Sequence, residues 1–138
     1  MSVNTKPIGV AFEDQNIVGS DKILSASQLG YTSDAQGTVT QATSKSTAVT
    51  LNKSAGVITM NNASLATATN ATFTLNNSLI SANDTVILTI SGGQATAGSY
   101  NCFANALAAG SVSITLRNIS GGTLSEAVTI NYALIHCD

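Results

Sequence analysis

Charge is what this chain lacks most. Lys and Arg number 5 and Asp and Glu 7, together 9% of 138 residues, against about 25% in an average globular domain. Disorder driven by like-charge repulsion is thereby excluded, because disordered segments combine low hydrophobicity with high charge and this chain reverses both. Surface helix formers such as Glu, Lys, Arg and Gln are equally scarce, which argues against a helical bundle. The five basic residues, Lys6, Lys22, Lys45, Lys53 and Arg117, are dispersed, so no stripe exists to neutralise nucleic-acid phosphates. Tryptophan is absent and aromatics make up 4%, leaving no stacking platform for sugars. No apolar run of about 18 residues is present to span a bilayer as a helix. The start, MSVNTKP, has no charged region leading into an apolar stretch, so the mature product is expected to be the gene product, made in a cytoplasm.

What fills the space is Ser, Thr and Asn, alongside enough Val, Ile, Leu and Ala for a mean hydropathy of +0.24. Abundant β-branched residues make an all-β domain the expectation. From Gly37 onward, period-two runs alternate with Gly, Asn and Ser punctuation. In 111–117, Val112, Ile114 and Leu116 share one face and small hydroxyls the other, which reads as wet or lightly packed. The same pattern recurs in 72–75 and 127–134, and 47–52, 56–60 and 98–103 are further strand candidates. Residues 85–90 carry Val86, Leu88 and Ile90 on one face and Ile87 on the other, the signature of a central or doubly covered strand. Residues 104–109 read as one helical turn or a small-residue loop. Asn61-Asn62, Asn76-Asn77, Asn83-Asp84, Gly92-Gly93 and Gly121-Gly122 tolerate the positive φ of tight turns. Seven or eight strands in about a hundred residues point to an antiparallel β-sandwich, jelly-roll-like, over residues 37–138.

Residues 1–36 differ in character. They hold four acidic residues, the only proline, and two apolar patches without a hairpin turn between them, and read as an extended N-terminal arm. Alternation places Ile8, Val10 and Phe12 together, so the segment can add as a strand to its own or a neighbour's sheet. With Ile17 and Val18, these three form the expected partner or subunit interface.

Candidate chemistry is sparse. The one histidine, His136, lies two residues from the end of the chain, where termini fray, and a hydrolytic triad needs such a base held firmly. Glu126 and Asp84 flank strands and cap turns more naturally than they cleave a sugar. Cys102 and Cys137 have no partner at metal-ligand spacing, and adjacent strand residues such as His136 and Cys137 point to opposite faces; both thiols are expected to be reduced. No phosphate loop, dinucleotide fingerprint or calcium loop occurs. These observations argue against an enzyme and call for no cofactor or metal. Six Asn-x-Ser/Thr triplets, at Asn52, Asn62, Asn70, Asn76, Asn83 and Asn118, follow from composition.

Two regions carry a resemblance: GTVTQATSKSTAVTLN (37–52) with GVITMNN (56–62), and ITLRNISGGTLSEAVTINYALI (114–135). They resemble a β-domain of small virion proteins of tailed bacteriophages, where it serves as capsid decoration or as head and tail fibre. The resemblance implies a homotrimeric β-sandwich on a virus surface, partnered by the major capsid protein. A fibre needs an attachment region, a shaft and a tip, whereas one arm plus one domain fits a decoration or cement protein. A receptor- or glycan-binding fibre tip is the alternative, with a host glycan as a further partner.

Overall fold

A computed structural model describes residues 26–137. A short 3-10 turn at Ser33–Ala35 leads into eight strands: β1 Gln36–Thr40, β2 Val49–Thr50, β3 Ala55–Thr59, β4 Asn70–Asn76, β5 Thr85–Gly92, β6 Tyr100–Ala108, β7 Ser111–Asn118 and β8 Thr129–Ile135. They form two four-stranded sheets, β1-β3-β8-β5 and β2-β4-β7-β6, packed as the expected β-sandwich. Apart from β6 and β7, consecutive strands are divided between the sheets, and each of the pairs β1/β2, β3/β4, β5/β6 and β7/β8 occupies the same place in the two orders.

This arrangement follows from the alternation. Strands with one apolar face must bury it against another sheet, and β4 and β7 do so residue by residue. Phe73 pairs with Ile114, Ala71 with Leu116 and Leu75 with Val112, all buried. The opposing sheet contributes Ile58, Ile130, Tyr132 and Leu134, also buried. Each aliphatic side chain taken fully from water is worth about 1.5–3 kcal/mol, so this double layer supplies the main stabilising term.

Four corrections to the sequence reading have physical causes. The sandwich is not antiparallel throughout: β1 runs parallel to β3 and β2 parallel to β4. Parallel neighbours need a crossover, and here a strand of the opposite sheet supplies it, β2 between β1 and β3, β3 between β2 and β4. Second, β5 is an edge strand and not a doubly covered one. Its inner residues are half-buried, and Ile87 is 48% exposed. Third, residues 104–108 are neither helix nor loop but the second half of β6, interrupted by a register shift between Ala104 and Ala106. Fourth, the hydroxyl face of β7 is not uniformly wet. Thr115 is buried, with its Oγ1 2.7 Å from Thr72 Oγ1 and 2.9 Å from Asn105 Oδ1.

Turn chemistry also differs from expectation. Of the proposed pairs, only Gly93 has positive φ (82°), the other cases being Ala68, Gly98 and Gly110. The asparagines work instead as buried staples. Asn77 Nδ2 donates to the Lys53 carbonyl (2.7 Å), and Asn118 Nδ2 to the Leu65 and Gly122 carbonyls (2.9 and 2.8 Å). Gln41 does the same for the β1–β2 crossover: its Nε2 donates to the Lys45 and Thr47 carbonyls and its Oε1 accepts from Asn61 N–H.

Candidate interaction surfaces

Arg117 is the only charged residue in any of the eight strands. The outward face of β1-β3-β8-β5 therefore presents amides, hydroxyls and aliphatics alone. In one row lie Thr38, Val57, Asn131 and Thr89; in the next, Gln36, Ala55, Ala133 and Ile87. Ile87 and Ile135 stand about half exposed. Native edge strands are normally guarded by Lys, Pro or inward charge, yet β5 runs eight residues, TVILTISG, without any of these. Below its free side, the register shift in β6 opens a cleft of about 360 Å³ lined in part by Thr85, Val86, Leu107 and Val112.

The first described residues cross this same sheet. From β1 the chain leads back to Tyr31, whose hydroxyl donates to the Leu134 carbonyl on β8, while Lys53 Nζ donates to the Asp34 carbonyl (2.7 Å). Leu29, Gly30 and Tyr31 line a second cleft, about 400 Å³, with Ala133, Ile135 and His136. Leu29 is 91% exposed. Ile8, Val10, Phe12, Ile17 and Val18 lie outside the described residues.

His136 does not hang free at the chain end. Its Nδ1 sits 2.9 Å from Asp84 Oδ2, and the Cys137 backbone N–H donates to Asp84 Oδ1 at 3.2 Å. Ser81 gives Asp84 its other two partners, Oγ to Oδ1 (2.6 Å) and backbone N–H to Oδ2 (2.9 Å). The Ser81 hydroxyl and amide, aided by Cys137 N–H and His136, hold the Asp84 carboxyl down to about 2. A carboxylate with both oxygens doubly engaged is a clasp on the chain end. Both cysteines are free; burial pushes the Cys102 thiol up to about 11.

At the opposite end a cluster forms that the sequence did not announce. Lys45 is buried, and its Nζ donates to the carbonyls of Asn61 (2.6 Å) and Glu126. Burial lowers its pKa, opposed by the Glu126 charge. Glu126 Oε1 accepts from Ala95 N–H at 2.7 Å, while Glu126 Oε2, Gln94 Oε1 and Tyr100 OH are buried without a hydrogen bond. Burial, reinforced by Glu126, pushes Tyr100 up to about 12. A lone lysine in a Ser/Thr run gives no sequence signal of burial, because its partners are carbonyls distant in the chain. Among the described residues, no three His, Cys, Asp or Glu side chains gather as a metal site, and no helix is long and apolar enough to cross a membrane.

On the other outward face, Phe103 is 40% exposed. It lies level with Thr115 and Thr72, and the next row holds Asn101, Arg117 and Asn70. Counting by twos from buried Tyr100 finds this outward position. The chain matches no family model, no curated protein and no solved structure.

Proposed function

We propose that the protein is a structural virion protein, a capsid decoration or cement subunit that binds the phage head surface as a homotrimer and stabilises it. The observation that carries this reading is the near absence of charge from the strands, down to Arg117 alone. Such faces suit burial against copies of the chain and against the major capsid protein, where each buried charge would need a partner. Closed rotational symmetry lets them associate without growing open fibres. The arm residues Ile8, Val10, Phe12, Ile17 and Val18 add apolar contacts, and three arms on one trimer bind a lattice more tightly than one because later attachments are intramolecular.

The test compares the full chain with one starting at Ala26, which keeps the Tyr31 and Asp34 contacts to the sandwich. Both are added to undecorated phage heads and viewed by electron microscopy. Density on the heads with the full chain and its loss with the shortened one is the expected result; bare heads with the full chain overturn the proposal.

Phe103 favours the second reading, a glycan-binding tip of a head or tail fibre. A ring with Asn101 and Arg117 in the next row offers a sugar one stacking surface and nearby hydrogen-bonding groups. Binding to a glycan array that disappears in Phe103→Ala selects this reading over the first.

A further inference from the structure

Among the described residues, no strand pairs with the outer edge of β5. It is long, uncharged, free of proline, and underlain by the cleft against β6, so an added strand would find backbone groups that no described strand pairs beside it and, beneath it, a slot in which Val86, Leu107 and Val112 sit with Asp84 and Asn105. The cleft opens at the Thr85 end of β5, the end at which Thr85 pairs with Ile135. Leu29, Gly30 and Tyr31, near the start of the described chain, lie at that corner too, beside Ile135 and His136. Its path from β1 to β8 follows the sheet order, in which β5 is the next strand. Of the chain outside the described residues, 8–12 is the stretch with strand alternation, IGVAF, and it is itself uncharged.

We propose that the β5 edge is a strand-accepting site whose occupant is residues 8–12 of a neighbouring copy, with side chains among Ile8, Val10 and Phe12 entering the cleft beside Val86, Leu107 and Val112. The proposal rests on the homotrimer reading. Exit and acceptor lie at one corner of the sandwich, so a three-fold axis near that corner sets each arm's exit beside the next copy's β5. The spacer, residues 13–25, spans up to about 43 Å when extended, ample for a neighbour, whereas a copy's own β5 is only about 4.8 Å beyond β8. Three such exchanges close a ring and leave no β5 edge unpaired.

Amide hydrogen exchange on the full chain, with mass measured by light scattering, tests this. The expected result is a trimer in which the β5 amides facing away from β8 are protected, with protection lost on dilution to the single-chain mass. In Val10→Asp those amides exchange at least tenfold faster and the trimer dissociates, while the β7 amides keep their protection and report an intact sandwich. Val10→Ile retains both properties. A trimer with freely exchanging β5-edge amides overturns the exchange and leaves the homotrimer standing. A single-chain mass at every concentration overturns the homotrimer and the exchange with it. Protection that persists in the diluted single chain assigns the edge to the chain's own arm and overturns the proposal.

Discussion

Asp84 takes four hydrogen bonds on one carboxylate, and this residue is expected to contribute to the acid limb of stability. Its folded pKa, about 2, lies below the ordinary 3.8, so its contribution is complete above pH 4 and is lost as pH falls from about 4 towards 2. Asp84→Asn is expected to lower the melting temperature at pH 7 and to shrink the difference between pH 7 and pH 3; an unchanged difference would show that other carboxylates set the limb. The alkaline limb has the opposite sign. Tyr100 and Tyr132 are each pushed up to about 12, chiefly by burial, so they keep their protons when unfolded tyrosines ionise near 10, and their contribution is lost as pH rises from about 10 to 12. The Tyr132 hydroxyl lies 3.0 Å from the Lys53 carbonyl and 3.2 Å from the Leu51 carbonyl. Tyr132→Phe is therefore expected to cost about 1 kcal/mol at neutral pH and to make denaturant midpoints fall less steeply above pH 10.

At the scale of elements, legibility followed burial. β4, β7 and β8 could be read because each buries one face and exposes the other, which writes itself as alternation. The β6 residues Ala104, Asn105 and Ala106 carry little strand propensity and straddle a register shift, so nothing local marked them. Ile87 misled because an outward aliphatic on an edge strand has the same sequence pattern as a covered one. Parallel pairing of β1 with β3 is a property of the whole sandwich and leaves no local trace, and the same holds for the carbonyl partners of Lys45. The bulge between Ile90 and Gly92 yields a prediction of its own. Gly93 follows it with φ 82°, and a Cβ there would stand 2.1 Å from the Ala127 carbonyl oxygen. Gly98 has φ 79° with open space around it. Gly98→Ala should cost about 1–2 kcal/mol, the left-handed penalty alone, and Gly93→Ala clearly more in the same urea titration. Equal costs would mean that the β8 approach yields without resistance.

For the whole molecule the decisive quantity is where charge is absent. Interfaces made from strands with one charged residue gain little from Coulomb attraction, and salt screens little that is not there. Self-association measured by sedimentation is expected to change less than about threefold between roughly 0.05 and 0.5 M NaCl. A loss of several orders of magnitude would place the contact on the loops that carry Lys45, Lys53, Asp34 and Glu126 instead.

The division of consecutive strands between the two sheets also governs when the fold can form. Within either sheet, β6 and β7 are the only neighbours adjacent in sequence, joined across Gly110. Every other pairing closes a long loop, the kind of topology that folds in milliseconds to seconds, not microseconds. β8, the last of the eight described strands in sequence, is also the one that lies between β3 and β5. Until it arrives, β5 has no sheet partner and β3 has only β1. The first sheet thus cannot close before β8 has been made, and any copy caught earlier presents open edges to whatever strand is nearest.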